Sequence, residues 1–492
     1  MAALLHHNLS HGAVLGGEDL VFHLHGLQHH QQLALLDGGA LVDLHPENSS
    51  GHGGVHRLAC GGGGGESAPT TAAAGGGSGD STQAAPAADG EQKVIKFMHR
   101  FPDEPYNSFI ESKLHEYEAS HPDIKFEITS AQNQEYKEKI KVVVGGDDTP
   151  DIFFSWVGDF TERFIREGLI LDLKPYLDAD PEWKDSLIES QINEYTNKDG
   201  MVYGIPFRLD CKLFFYNKTI FDEHGLTAPT TWDELISCCE TLKAAGITPI
   251  AYGNQEPWSA SHYMGTLNQI FVPDDVRAKD YDPTSGEFTD PGYIEALEHY
   301  QQLLPYMTEN PNGVKPDMSR TNFVMELGAM YYAELIEIPY IKMDNPEMEF
   351  GMFNFPKVEG AKGNQDILTG VPEGFVVSSK TKYPDECVEF LKWFLGKEVG
   401  TQQCQEIGWF NGAKGTTEGL TDQALLDGYQ AVMDAKAMSA WLDNALYSTV
   451  CDEYLTAVSD LTNGDITPQQ AMERIQAKAK EAQTLVSTGS GQ

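Results

Sequence analysis

The spacing of hydrophobic and polar residues becomes regular from residue 93 onward. A short apolar run at residues 94–98 predicts a buried strand. The next apolar residues, from Tyr106 to Tyr117, recur at the spacing of a helix whose first turn follows Pro105. Residues 124–128 then alternate between apolar and charged side chains, which predicts a second strand with one buried face.

The alternation of predicted strands and helices continues along the chain. Tyr136 and Ile140 lie on one face of a predicted helix that ends at Gly145, and residues 151–154 form a short buried strand. Such an alternation predicts an α/β fold, with helices packed on both faces of a sheet. Ligands of these sheets bind beyond the carboxyl ends of the strands.

Two candidate binding residues follow the strand predicted at 151–154. Trp156 offers a flat apolar face, and Asp159, three residues later, offers two hydrogen-bond acceptors. A second interpretation places Trp156 in the core and makes Asp159 the cap of the next helix. These residues alone leave both interpretations open.

The middle of the chain repeats this arrangement. The strand-like stretch at 200–217 is interrupted by Arg208 and Asp210. Two charges inside an apolar stretch are costly unless they are paired, bound to a ligand or exposed in a cleft. The next predicted strand is followed by Glu256 and Trp258, again a carboxylate and an indole at the exit of a strand.

Length and charge limit the classes of function. At 492 residues the chain is too long for a single core, so two lobes or domains are expected. Acidic residues number 74 and basic residues 34, which gives a net charge of −40. Nucleic acid and anionic membrane surfaces would repel such a chain, so neither is expected as a direct partner. The sequence has no apolar run of about 18 residues, so no transmembrane helix is predicted.

Residues 1–59 differ from the rest of the chain. They contain ten of its 16 histidines, at positions that keep no spacing typical of a metal site. They also lack the basic start and the unbroken apolar stretch of a secretory signal. We interpret this segment as a non-native start, with a disordered head as the alternative.

Cys60 precedes a segment, residues 61–92, that consists almost entirely of small and polar residues without Lys or Arg. Leu58-Ala59-Cys60 resembles the end of a bacterial lipoprotein signal, in which the cysteine is acylated, although Arg57 departs from that pattern. A flexible segment of this length would span about 30 Å r.m.s., which suits a tether to a lipid anchor. A free cysteine in a linker is the alternative. The six cysteines further along are interpreted as small buried hydrophobes, and no disulfide is predicted.

Several longer stretches of the chain follow one another in a characteristic order. They are TPDIFFSWVGDF, DGMVYGIPFRLDCKLFFYN with PTTWDEL, GITPIAYGNQEPW, ELGAMYY, LTGVPEGFVVSSKTKYPDECVEFLKWFL and ITPQQAMERIQAKAKE. Together they resemble the extracellular solute-binding proteins of family 1, the sugar-binding components of ABC importers related to maltose-binding protein. The resemblance covers roughly residues 93–488.

The resemblance implies an α/β, two-lobed fold of the type II periplasmic-binding-protein kind, with a hinge and an interlobe cleft. Lobe 1 would consist of residues 93–208 and 365–418. Lobe 2 would consist of residues 212–362 and 419–488. The stretch between residues 208 and 212 would be a hinge strand.

The resemblance also implies which residues contact a ligand in the cleft. The positions that match the family's ligand contacts are Trp156, Asp159, Asp210, Glu256 and Trp258. Arg208 is a further candidate, and the weaker candidates are Phe101, Gly374, Trp409 and Trp441. For Trp441 a core role is favoured. Ile336 stands near a place where the family often has a tryptophan, so Tyr332 or Tyr340 would supply that stacking surface instead.

By the same resemblance, we expect the protein to capture a carbohydrate, an oligosaccharide, and to deliver it to the membrane permease of an ABC transporter. We expect no enzymatic activity, no metal and no cofactor, and a monomer held at the bacterial cell surface only through Cys60. Other ligands of the same fold stay open: ferric iron through Tyr331 and Tyr332, a peptide or a polyamine. A glycoside-acting enzyme would instead use Asp210 with Glu256 or Asp159 as its acid and base.

Overall fold

The structure is a computed structural model that describes residues 32–35, 41–44 and 92–488. In the first two ranges, strand β1 (Gln32–Leu35) pairs antiparallel with strand β2 (Leu41–Leu44). The predictions for Cys60, for the linker that follows it and for the rest of the N-terminal segment lie outside the described residues.

The remaining elements all lie within residues 92–488. The strands are β3 (Lys93–His99), β4 (Ile124–Ser130), β5 (Ile152–Trp156), β6 (Ile205–Arg208), β7 (Lys212–Asn217), β8 (Thr248–Ala251), β9 (Gly328–Glu334), β10 (Phe350–Phe353), β11 (Leu368–Thr369), β12 (Glu373–Val377) and β13 (Met438–Ser439). The helices are α1 (Tyr106–Ser120), α2 (Asn133–Val143), α3 (Asp159–Arg166), α4 (Lys174–Ala179), α5 (Pro181–Ser186), α6 (Glu189–Glu194), α7 (Lys218–Glu223), α8 (Trp232–Ala244), α9 (Trp258–Phe271), α10 (Asp274–Tyr281), α11 (Gly292–Leu303), α12 (Pro316–Val324), α13 (Glu337–Asp344), α14 (Pro384–Phe394), α15 (Lys397–Ile407), α16 (Gln423–Asp434), α17 (Leu442–Ala445), α18 (Ser448–Asn463) and α19 (Pro468–Thr488). Two short 3₁₀ turns lie at Leu304–Tyr306 and Pro311–Gly313.

The first sheet has the strand order β4, β3, β5, β12 and β6. Its first three strands are parallel, whereas β12 runs antiparallel to both β5 and β6. The strands predicted at 94–98, 124–128 and 151–154 are confirmed as β3, β4 and β5. The helix predicted from Tyr106 to Tyr117 is confirmed as α1, whose apolar face is buried against this sheet.

The second sheet has the strand order β10, β7, β9 and β8. Strand β7 is antiparallel to β10 and β9, and β8 is parallel to β9. A separate apolar core packs against it, with contributions from β9, α9, α11, α18 and α19. We call the part built on the first sheet lobe 1 and the part built on the second sheet lobe 2.

The chain passes from lobe 1 to lobe 2 between β6 and β7, through residues 208–212, and returns to lobe 1 at β12. Short strands β11 and β13 pair with each other beside this crossing. The predicted α/β class is therefore confirmed, since two sheets with separate cores are covered by helices.

Three smaller features predicted from the sequence can also be compared with the structure. Thr231 and Glu234 form a capping box at the start of α8, where the Glu234 amide donates to Thr231 Oγ1 at 3.3 Å. The six cysteines of the described range are buried and unbridged, as expected for small hydrophobes. None of the helices in the described ranges is long and apolar enough to cross a membrane.

Candidate ligand-binding site between the lobes

Three strand ends of lobe 1 place functional groups side by side. Glu373, the first residue of β12, lies opposite both Trp156, the last residue of β5, and Arg208, the last residue of β6. Strand β12 runs antiparallel to β5 and to β6, so its first residue lies beside the last residues of those two strands, at one edge of the sheet. This edge faces lobe 2.

Trp156 is buried and is also in contact with charged side chains. Its ring packs edge-on against Phe154 and Phe160, with centroids 5.0 and 4.8 Å away. Lys137 Nζ lies 4.8 Å from its centroid, and Arg100 Cζ lies 5.6 Å from it. The core interpretation of this tryptophan is confirmed, and its role as a ligand contact stays a prediction. Asp159 is the first residue of α3 rather than its cap, which is Gly158.

A cluster of buried charges surrounds Arg208. Its guanidinium donates a hydrogen bond to Glu373, and its Nη2 lies 3.8 Å from Asp210 Oδ2. Asp210 Oδ1 accepts from the Leu335 amide at 2.9 Å, but Oδ2 has no hydrogen-bond partner among the described residues. Burial raises the pKa of Asp210 well above its usual range, which the positive charge of Arg208 opposes in part. The cluster therefore contains a carboxyl oxygen with free hydrogen-bond capacity.

Trp409 provides a second indole at this edge of lobe 1. It stacks on Tyr106 with ring centroids 4.0 Å apart and an interplanar angle of 11°, and Arg208 Cζ lies 4.8 Å from its centroid. Tyr106 in turn contacts Tyr340 of lobe 2, at a centroid distance of 4.9 Å. The Trp409 indole N–H and the Tyr106 hydroxyl have no hydrogen-bond partner among the described residues.

The facing surface of lobe 2 is centred on His262 of α9. Its Nδ1 lies 3.3 Å from Glu334 Oε1 at the end of β9, and Lys212 Nζ lies 3.1 Å from the other oxygen of that carboxylate. The rings of Trp441 and Trp258 lie 4.5 and 5.2 Å from the imidazole. Burial lowers the pKa of His262 well below its usual range, so the ring is neutral near pH 7.

The two surfaces meet through an ion pair. Lys137 of lobe 1 lies 2.8 Å from Asp443 Oδ2 and 3.2 Å from Asn444 Oδ1, both on α17. Burial acts to raise the pKa of Asp443, but the charge of Lys137 holds it below its usual value. A Cβ atom at Gly158 would lie 2.6 Å from the Asn444 carbonyl oxygen, so the backbones of α3 and α17 approach closely here.

The structure brings together half of the eight main candidate residues, since Trp156, Arg208, Asp210 and Trp409 share one cluster. Glu256 and Trp258 lie together with His262 instead: the Glu256 carboxylate accepts from the Trp258 indole at 2.8 Å, and that indole packs on the imidazole.

Other candidates lie beside this cluster. Asp159, in the first turn of α3, pairs with Arg166 at 2.8 Å. Gly374 lies inside β12, where a Cβ atom would collide with the Ile205 carbonyl oxygen, so its position is explained by strand packing. Phe101 is buried against Phe154 and Trp409.

Of the two tyrosines predicted to supply a stacking surface near Ile336, only Tyr340 contacts the other lobe, and its role toward a ligand stays a prediction. Ile336 packs against the lobe 1 core cluster, and Tyr340 contacts Tyr106 across the lobes. The Tyr332 hydroxyl instead bonds Thr266 at 2.7 Å inside lobe 2. Trp441 is buried, as its favoured core role requires, and it also contacts His262 at the junction.

Sequence reasoning missed several charged members of the site. Glu373, Lys212 and Glu334 are charges at the first or last residue of an apolar strand, a signal related to the interrupting charge that identified Arg208, and could have been found in that way. Lys137, His262 and Asp443 lie on helices and carry no such signal. Their relation to the site arises only when the two lobes meet.

The tyrosine pair considered for iron is divided between two environments. Tyr331 packs near Phe323, whereas Tyr332 packs against Tyr263 in the lobe 2 core. Successive residues of a strand point to opposite faces of the sheet, which separates the two hydroxyls. No group of three or more His, Cys, Asp or Glu side chains placed to hold a metal ion occurs within the described residues.

Comparison with known proteins gives the family. Residues 102–401 match the model of a family described as bacterial extracellular solute-binding proteins, and this match spans more than half of the chain. The chain belongs to this family. The predicted membership is confirmed.

Individual relatives agree with this assignment. The chain is 28% identical over 292 residues to a multiple sugar-binding protein of Streptococcus mutans serotype c (strain ATCC 700610 / UA159). The matched region is 57% of this chain and 66% of that relative, just under two thirds of its length.

Solved structures confirm the two-lobed solute-binding fold. The structure of a chitin oligosaccharide binding protein matches with a TM-score of 0.72 and 23% identity, over 80% of this chain and 100% of that one. A structure from work on xylan utilization by the thermophilic bacterium Caldanaerobius polysaccharolyticus matches with a TM-score of 0.71 and 24% identity, over 78% and 100% of the two chains.

Proposed function

We propose that this solute-binding protein captures a carbohydrate, an oligosaccharide, between its lobes and delivers it to the membrane permease of an ABC transporter. One observation carries the proposal: indole rings and buried polar atoms with free hydrogen-bond capacity converge from both lobes on one surface. The names of the relative that binds multiple sugars and of the structure that binds chitin oligosaccharide support the same ligand class.

The chemistry of a sugar explains why such a surface suits it. A sugar ring has an apolar C–H face and a rim of hydroxyl groups, each of which can donate and accept. Aromatic rings pack on the first, and carboxylates, guanidinium groups and indole N–H groups bond the second. The ligand contacts proposed on this basis are Trp156, Arg208, Asp210, Glu256, Trp258 and Trp409, with Asp159 and Gly374 at the margin and His262 and Trp441 added by the structure.

Capture would proceed by movement of the lobes about residues 208–212. The lobes are in contact across the site, so they must separate for a ligand to enter. A ligand that touches both lobes stabilises the closed arrangement, since only that arrangement satisfies all its contacts. The protein would carry out no reaction on the ligand and would need no cofactor.

Location follows from the same proposal. A family of extracellular solute-binding proteins acts outside the cytoplasm. We propose a lipid anchor at Cys60, with residues 61–92 as the tether, and a monomer that meets the permease at the membrane surface. The lobe boundaries at 93–208 with 365–418, and at 212–362 with 419–488, belong to this proposal.

A thermal-shift screen of neutral mono- and oligosaccharides, followed by calorimetry, tests the proposal. A ligand that binds only the folded protein raises its melting temperature. Trp409→Ala in lobe 1 and Trp441→Ala at the lobe junction should each weaken binding about tenfold or more. Trp393→Ala, a half-buried indole that packs on Tyr117 away from the site, is the matched control and should bind as the parent does.

Two outcomes would contradict the proposal. If no sugar in the screen binds, carbohydrate is the wrong ligand class. If incubation with an oligosaccharide releases shorter fragments, the protein is an enzyme and binding is only its first step.

A further inference from the structure

The charged groups of the lobe 1 cluster compensate one another. Arg100 and Arg208 both approach the carboxylate of Glu373, Arg100 through Nη2 at 3.5 Å and Arg208 through a hydrogen bond. Arg208 also lies 3.8 Å from Asp210. Two guanidinium groups therefore face the Glu373 carboxylate and the Asp210 carboxyl group, and all four side chains are largely removed from water.

The charges contributed at the lobe junction are balanced in the same way. Lys212 lies 3.1 Å from Glu334, and Lys137 lies 2.8 Å from Asp443. His262, between these two carboxylates, is buried. Within the described residues of the site, each Arg and Lys thus has a carboxylate at ion-pair distance.

The atoms that keep free hydrogen-bond capacity fit hydroxyl groups. Among the described residues of the site, the donors without a partner are the Nε of Arg100, the Nε of Arg208, the Tyr106 hydroxyl and the indole N–H groups of Trp409 and Trp441. One carboxyl oxygen, Asp210 Oδ2, also lacks a partner, on a residue that is 1% exposed. A hydroxyl group can both donate and accept, so it can bond this oxygen in either protonation state of the carboxyl group, whereas an anionic oxygen can only accept.

We propose that the cleft selects an uncharged carbohydrate and excludes sugars that carry carboxylate, sulfate or phosphate groups. This inference rests on the proposed function and narrows its ligand class. An anionic group would find a carboxyl group already beside each Arg and Lys of the site, would lose its hydration and would lie near the carboxylates of Glu373 and Glu334. The net charge of −40 on the chain repels anions at longer range as well.

The test compares matched ligands that differ only in charge. Xylotetraose is compared with the same oligosaccharide bearing one glucuronic acid branch, and with the methyl ester of that branch as an uncharged control of the same size. Galacturonic acid trimer and its methyl ester form a second set. Calorimetry at pH 7 should give an affinity for each free acid at least 100-fold below that for its ester.

Glu373→Gln removes the carboxylate that Arg100 and Arg208 both approach and keeps the shape of the side chain. Its ratio of ester affinity to acid affinity should fall at least tenfold, whereas the exposed Asp147→Asn should leave the ratio of the parent unchanged. An unchanged ratio in a folded Glu373→Gln protein would overturn the role given to the compensated charges. If that variant does not fold, the ratio measured on the parent protein decides whether the inference stands.

The results of these binding measurements distinguish this inference from the proposed function on which it rests. Free acids that bind the parent as tightly as their esters overturn the selection for uncharged ligands but leave carbohydrate binding in place. A failure of neutral sugars, esters and acids alike to bind overturns both.

Discussion

The core of lobe 1 and the surface between the lobes are both buried, yet they are built from different interactions. In the core, Phe97, Phe375 and Phe394 pack ring against ring with centroids 4.8 to 6.3 Å apart. At the surface between the lobes, ion pairs and indoles meet, and several polar atoms have no partner within the described residues.

This difference assigns the stability of the fold and the recognition of a ligand to different parts of the molecule. Apolar burial is favourable wherever it occurs, at about 25 cal/mol per Å². Burying an ion pair roughly breaks even against its desolvation. We therefore expect the lobe cores to hold the fold together and the surface between them to open at low cost, leaving its polar atoms for a ligand.

The largest effect is expected from a cavity in the core. Phe375 lies in β12, an interior strand of the first sheet, in contact with Phe97 and Phe207. Phe375→Ala should lower the free energy of unfolding by about 3–5 kcal/mol, measured by denaturant titration. The exposed Val142→Ala is the control, with an expected change of less than about 0.5 kcal/mol. A loss for Phe375→Ala no larger than that of the control would contradict the assignment of stability to the core.

A somewhat smaller effect is expected from pH, through His99 at the end of β3. Burial lowers the pKa of His99 to about 4, from 6.5 in the unfolded chain. A lowered histidine pKa means that the unfolded chain binds more protons, so this contribution to stability is present above pH 6.5 and is lost as the pH falls toward 4.

His99→Gln removes this contribution and keeps an acceptor for the Phe101 amide, which bonds the imidazole at 3.3 Å. Between pH 7 and pH 4 the parent should lose about 2–3 kcal/mol more stability than the variant. The exposed His115→Gln should follow the parent. Equal pH dependence in His99→Gln and the parent would show that His99 is not held neutral by burial.

The ion pair between the lobes should affect binding more than stability. Lys137→Met leaves Asp443 without its partner in the closed arrangement, so affinity for a bound neutral oligosaccharide should fall about tenfold or more. Lys139→Met, two residues further along the same helix and exposed, is the matched control. Calorimetry measures both. If the two variants bind equally well, the pair does not stabilise the closed lobes.

The smallest effect is expected at the capping box of α8, within lobe 2 and away from the junction. Thr231→Ala should reduce the free energy of unfolding by about 1 kcal/mol and leave sugar affinity unchanged. Thr241→Ala, on the exposed side of the same helix, serves as the control. A change in affinity for Thr231→Ala would mean that lobe stability and recognition are coupled.

The sequence predicted the cores better than the site, for a physical reason. Strands β3 to β5 and helix α1 follow from local periodicity, because neighbouring residues decide which face is buried. Arg208 and Asp210 were found because charges interrupt an apolar stretch. Lys137, His262 and Asp443 come from three distant segments, and no local pattern relates them.

Trp156 shows the limit of choosing between roles from a single sequence. Its ring is packed in the core of lobe 1 and is approached by Lys137 and Arg100 from the site. The core and the proposed binding surface share a boundary at the strand ends, and Trp156 lies on that boundary. Gly374 was a candidate ligand contact, but the close packing of β12 against β6 is sufficient to explain why a glycine stands there.

A crystal structure with the neutral oligosaccharide that gives the largest thermal shift tests the central claim most directly. We predict a sugar held between the lobes, with a ring against Trp409, Trp156 or Trp441 and a hydroxyl group bonded to Asp210 Oδ2. A sugar bound on the outer surface of one lobe, with Arg208, Asp210 and Trp409 still in contact only with protein, would contradict the account.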